Sequence, residues 1–106
     1  MHPAKVRRDR VQALTDLPNV GPATAADLRL LGIERPGQLA GQDPRQLYQR
    51  LCQLTETHQD PCVLDVFISV VTFVEGGDPK PWWEFTEARK RMSGPGWITP
   101  PVPSRP

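Results

Sequence analysis

Proline directly after a glycine or aspartate recurs along this chain, at Gly21-Pro22, Asp43-Pro44, Asp60-Pro61, Asp78-Pro79 and Gly94-Pro95, and this punctuation limits the fold more than any other feature. Proline has no amide donor and clashes with the preceding helical turn, so it opens a helix readily and is disfavoured inside one. An aspartate just before it accepts from the first unpaired amides and caps the helix. The chain is thereby cut into short segments whose apolar residues recur at three- and four-residue intervals rather than alternating. That spacing predicts an all-α fold, a small bundle of four or five short helices.

The first helix is expected over Arg7 to Thr15, with Val11 and Leu14 on one side. The second opens at Gly21-Pro22 and runs to Leu31, where Gly32 stops it, with Ala25, Leu28 and Leu31 on one face. After a turn of helix at Pro36 to Ala40, Asp43-Pro44 starts a helix from Arg45 to about Thr55. There Leu47, Leu51 and Leu54 supply the apolar stripe, widened by Tyr48 and Cys52. Asp60-Pro61 starts the most apolar segment, Cys62 to about Glu75, in which only Asp65, Ser69 and Thr72 form a polar stripe. So apolar a helix belongs at the centre of the core, the alternative being a subunit interface through its Val66, Phe73 side. A last helix is expected from Trp82-Trp83-Glu84-Phe85 to Met92, making residues 1–92 one domain. From Ser93 to Pro106 the chain is rich in Gly, Pro and Ser, the composition of a disordered tail.

With 106 residues, the chain can bury roughly two thirds of the surface that its unfolded form exposes, enough for one modest core. Its net charge of +1 gives no global pull toward nucleic acid or membrane. The distribution says more. Lys5, Arg7, Arg8 and Arg10 against Asp9 make the first ten residues basic, and Arg89, Lys90, Arg91 and Arg105 do the same for residues 89–106. The stretch between them, 11–88, carries a net −6. Two cysteines, Cys52 and Cys62, and no charged-then-apolar leader fit a cytoplasmic protein with reduced, structural thiols. The longest apolar run, Val66 to Val74, is broken by Ser69 and Thr72 and falls far short of bilayer length, so no membrane role is expected.

The most informative segment is Leu14-Thr15-Asp16-Leu17-Pro18-Asn19-Val20-Gly21-Pro22-Ala23-Thr24-Ala25-Ala26-Asp27-Leu28, which resembles a helix-hairpin-helix. Such a hairpin needs a residue tolerant of positive φ where Asn19 stands, and a glycine at Gly21 where a ligand's phosphate must come close. The amides of Gly21, Ala23 and Thr24 would then be free at the positive end of the second helix, an arrangement suited to a phosphate oxygen. The expected nucleic-acid contacts are therefore Asn19, Gly21, Ala23, Thr24 and, as the nearby cation, Arg29. Asp16, Asp27 and Glu34 flank the hairpin, and Thr24 stands where strong binders often carry a basic residue. The same unit also serves purely to pack two helices, with Leu17 and Val20 as core plugs.

Four stretches carry a wider resemblance: Leu17 to Ala25, Leu31-Gly32-Ile33, His58 to Phe67, and Pro81-Trp82-Trp83-Glu84-Phe85-Thr86. Together they are similar to the small bacterial pathogenicity-locus family, some of whose members carry mitomycin-resistance names. The hairpin is also similar to the C-terminal domain of competence-regulator proteins of the TfoX type. The resemblance implies a helical fold and a presumed DNA-binding role, with no established reaction.

His58, Asp60 and Cys62 offer an imidazole, a carboxylate and a thiol within five residues, but a structural zinc needs a fourth ligand and only His2 and Cys52 remain. Asp60 is better read as a cap and Cys62 as an inward first-turn residue. No metal, cofactor or catalytic constellation is expected, so the chain reads as a non-enzyme. Trp82, Trp83 and Phe85 beside Arg89-Lys90-Arg91 suit either a lid on the core or a stacking platform for bases. The leading functional reading is weak, sequence-independent binding of DNA backbone through the helix-hairpin-helix together with the basic ends; the alternative is a protein-interaction module or homodimer.

Overall fold

In a computed structural model, which describes residues 2–97, the chain folds into four α-helices joined by 3₁₀ turns, with no strand among the described residues. The helices are α1 (Pro22–Leu30), α2 (Pro44–Thr55), α3 (Pro61–Val74) and α4 (Thr86–Trp97). All but α4 begin at the prolines that the sequence marks. The Asp43 side chain accepts from the Arg45 amide at 2.9 Å and Asp60 from the Cys62 amide at 2.9 Å, so both aspartates cap as expected. No helix among the described residues is long and apolar enough to cross a membrane. α4 runs to Trp97, past the expected end at Met92, and residues 98–106 of the expected tail lie outside the described residues.

The expected helix over Arg7 to Thr15 does not form as an α-helix. Its place is taken by 3₁₀ turns at Arg8–Arg10 and Leu14–Asp16, after another at Pro3–Lys5. The Asp16 carboxylate accepts from the amides of Gln12 at 3.0 Å and Ala13 at 2.9 Å, which offers the backbone a local alternative to the helical ladder. A helix of nine residues with three arginines in its first turn and an acid at its end is also marginal by itself.

α3 is the central element. Leu64, Phe67, Val70, Val71 and Phe73 on it are buried, and it contacts α2, α4 and the turns Pro36–Leu39 and Trp82–Phe85. Leu47, Tyr48, Leu51 and Cys52 are the buried face of α2. Leu54, expected in that stripe, is 57% exposed. At about 100° per residue it lies roughly 90° from the centre of the face that these four residues define, where Thr55 sits instead. α1 contributes Ala25 and Leu28, and Arg50 of α2 donates to the Leu31 carbonyl at 3.1 Å, which ties the end of α1 to α2.

The polar stripe of α3 faces inward. Asp65 and Ser69, one helical turn apart, are 0% and 1% exposed. A buried carboxylate without a partner is strongly destabilising, and Asp65 has two. Its oxygens accept from Arg89 Nε at 2.7 Å and from Thr86 Oγ1 at 2.8 Å, both on α4. Ser69 accepts from Asn19 Nδ2 at 3.0 Å and donates to the Val66 carbonyl at 2.6 Å. Asn19 Nδ2 also donates to the Lys80 carbonyl at 2.8 Å, while its Oδ1 accepts from the Trp82 amide at 3.2 Å. One stripe thus docks α4 at one turn and the hairpin, together with the Lys80–Trp82 turn, at the next.

Arg8 closes the far end of α3. Its guanidinium donates to the carbonyls of Phe73 and Gly77 and lies 4.1 Å from the centroid of the Phe73 ring. The Phe73 carbonyl, in the last turn of α3, thus accepts from Arg8 as well as from the Gly76 amide. Gly76, at φ +110°, and Gly77, whose amide donates to the Thr72 carbonyl at 2.8 Å, complete the stop. A Cβ on Gly77 would meet Thr72 Cγ2 at 2.6 Å, so glycine is required there.

Two stability outcomes follow from the stripe. Arg89→Met leaves the Asp65 carboxylate buried without its cation and should cost about 3–5 kcal/mol in urea unfolding, whereas adding Asp65→Leu should recover most of the loss. Asn19→Gly keeps the positive φ but removes three hydrogen bonds, an expected loss of ~2 kcal/mol. Asn19→Ala should lose at least ~1 kcal/mol more through the strained φ. Equal stability of the glycine and alanine variants would contradict the assigned conformation.

Candidate nucleic-acid interface

The segment read as a hairpin, Leu17 to Gly21, is preceded by the 3₁₀ turn Leu14–Asp16 rather than by an α-helix. Leu14, Leu17, Pro18 and Val20 are buried, so the turn is anchored by its apolar residues. Asn19 takes φ +67°, the left-handed conformation expected of it. Gly21 is extended, at φ −101° and ψ −173°, and a Cβ there would meet nothing within 4 Å. Neither backbone conformation nor internal packing therefore demands glycine at this position; what the missing side chain leaves open is space outside the chain.

Pro22 opens α1 without an amide, and the first helical bond is Ala25 N–H to the Gly21 carbonyl at 2.9 Å. Among the described hydrogen bonds, the amides of Gly21, Ala23 and Thr24 donate to no protein acceptor. Gly21 and Ala23 are exposed and Thr24 is half-buried. These three expected contact residues are together at the positive end of α1.

The other two are placed differently. Both hydrogens of the Asn19 amide are used within the chain, on Ser69 and Lys80, so its side chain positions the hairpin and has no donor left for a ligand. Arg29 is exposed but sits at the opposite end of α1, about 12 Å along the axis from Gly21, where its charge meets the negative end of the helix.

Other cations are on the N-terminal arm, whose His2 and Pro3 share a depression with Asn19, Val20 and Gly21. Lys5, Arg7 and Arg10 line a depression of about 280 Å³ together with Val11 and Asp16. Asp16 leads into the hairpin through the turn Leu14–Asp16, and the amides of Ala13 and Gln12 hold its carboxyl below the ordinary carboxylate range. Arg7 also stands 3.9 Å from Asp9, an exposed pairing of little strength. The charge surplus of the first ten residues pointed to this group, but nothing in the sequence indicated that the arm would lie beside the hairpin.

A second depression, of about 360 Å³, is lined by His2, Pro3, Asn19, Val20, Gly21, Trp82 and Trp83. The two indole rings meet edge to face, with centroids 5.7 Å apart at 82°. Trp82 packs against the core, whereas Trp83 is 59% exposed.

The His58, Asp60, Cys62 segment holds no comparable site. His58 is exposed, Asp60 caps α3, and burial, reinforced by Asp60, pushes the Cys62 thiol up, away from the thiolate that nucleophilic chemistry needs. Cys52 and Cys62 are both free thiols. Among the described residues, no three His, Cys, Asp or Glu side chains converge on a metal position.

No solved structure matches the chain. A relative from Streptomyces lavendulae named Mitomycin resistance protein McrB is 40% identical over 79 residues, covering 74% of this chain and 75% of the relative. The model of the family described as Pathogenicity locus, Cdd1, matches residues 7–91, which takes in the hairpin, all of α1 to α3 and the Asp65–Arg89 pair. The chain belongs to the pathogenicity-locus family.

Proposed function

We propose that this protein binds the nucleic-acid backbone, DNA in particular, weakly and without reading sequence, through a helix-hairpin-helix-like unit. The observation that carries the reading is the clustering of Lys5, Arg7 and Arg10 around a depression that they share with Asp16, the residue before the hairpin whose amides at Gly21, Ala23 and Thr24 have no protein acceptor among the described residues. Amides at a helix start orient a phosphate, but counterion release by lysine and arginine supplies most of the affinity. The arm supplies the cations that the hairpin itself lacks. Arg89 is not among them, because it is held by the buried Asp65. A homodimer through the Val66, Phe73 side of α3 is less favoured, since those residues are only 9% and 3% exposed within one chain.

Three arm cations neutralising about 3 phosphates imply a log-log salt slope of roughly −2.7 on duplex DNA, a fall of about fortyfold between ~50 and ~200 mM salt. Replacing Lys5, Arg7 and Arg10 by alanine should bring that slope close to zero. Gly21→Glu has room to fold, because its Cβ enters open space, and should abolish binding by placing a carboxylate where the phosphate would lie. Thr24→Lys should strengthen it. Anisotropy titrations of a labelled duplex check all three, with circular dichroism confirming the fold. No binding by the wild type at ~50 mM salt, or equal binding by a folded Gly21→Glu variant, would refute the proposal.

A further inference from the structure

Resting on the backbone-binding reading, we infer that the groove between the hairpin and the tryptophan pair takes one unpaired nucleobase stacked on Trp83, so that the preferred ligand is a single strand rather than a duplex. The groove is walled by His2, Pro3, Val20, Gly21, Trp82 and Trp83. At about 360 Å³ it is within the range of small-ligand sites, and its apolar and aromatic walls suit a flat ring.

The two tryptophans divide the work. Trp82 is half-buried against the core and closes it, which accounts for one indole. Trp83 is 59% exposed, so closing the core does not account for the second. Its neighbour is anchored. The edge contact to Trp82 fixes one side of the pair, and the Trp82 amide is bound by Asn19 Oδ1 at 3.2 Å. A large aromatic surface that is exposed yet positioned loses little freedom when a ring stacks on it.

Charge complementarity identifies the ring as a base. Pro3, in the groove wall, precedes Lys5 by two residues, at most about 8 Å along the chain. Lys5 begins the basic group with Arg7 and Arg10. A ligand that fills the groove with a neutral aromatic ring and carries anions beside it meets both features, and a nucleic-acid strand has that composition. Bases inside a duplex are stacked on each other and cannot enter, whereas those of a single strand offer a face to an aromatic platform.

The inference is tested with three labelled probes of equal length: an oligothymidylate, the same strand with abasic sites in place of the bases, and a duplex. The wild type should bind oligothymidylate more tightly than either other probe, with quenching of tryptophan fluorescence. Trp83→Ala should weaken oligothymidylate binding by about tenfold while leaving the abasic strand and the duplex little changed, and Trp83→Phe should restore most of the loss. If Trp83→Ala leaves oligothymidylate binding intact while the duplex still binds, the base site is wrong and backbone binding stands. An equal loss on all three probes would also overturn it, by assigning Trp83 a structural role. If none of the probes binds at low salt, the backbone reading fails and this inference falls with it.

Discussion

The fold depends on how a carboxylate with no exposed surface is satisfied. Asp65 lies in the middle of the most apolar helix of the chain, where an unpaired charge would be prohibitive. Its two oxygens are met by two residues of α4, which makes the docking of that helix a condition for burying α3. Ser69, one turn further on, does the same on a smaller scale for the hairpin. Apolar contacts alone would let helices slide over such a smooth surface. Two hydrogen-bonded points on one face of α3 specify where the neighbours sit.

That arrangement also decides which cations remain unengaged at the surface. Arg8 covers the end of α3, Arg50 the end of α1, and Arg89 the buried aspartate, so three arginines from three parts of the chain are engaged by its own backbone and core. Lys5, Arg7 and Arg10 stay at the surface, on the arm that Arg8 fastens to α3. The body between residues 11 and 88 is acidic, which leaves the net positive charge on the two ends of the chain, the arm and the segment from Arg89 onward. Under the proposed reading, that distribution would favour weak binding over general adhesion to polyanions.

The parts of this structure legible in the sequence are the local ones. Caps at Asp43 and Asp60, proline at the first helical position and a positive φ at Asn19 each depend on a few neighbouring residues, and each occurs where the pattern puts it. The helix over Arg7 to Thr15 fails because Asp16 holds two amides of its own segment, a competition that apolar spacing does not reveal. Leu54 fails for a geometric reason: its spacing from Leu47 fits a stripe, but the buried face is centred elsewhere on α2. The partnership of Asp65 with Arg89 joins positions 24 residues apart, and that of Asn19 with Ser69 joins positions 50 apart, so neither leaves a local signature. The candidate site divides the same way. Its amides could be read from the hairpin, while its cations and aromatic wall arrive from the arm and from the turn after α3.

The central claim is that the polar stripe of α3 holds the hairpin and the tryptophan turn as one unit. Amide hydrogen exchange on Ser69→Ala tests it most directly, because the change removes one hydrogen-bonding atom and preserves the helix. The account predicts that the Trp82 amide, held by Asn19, and the Val20 amide of the hairpin lose protection together, while those in the middle of α2 exchange as in the wild type. Protection unchanged at Trp82 and Val20, or lost equally throughout α2, would contradict it.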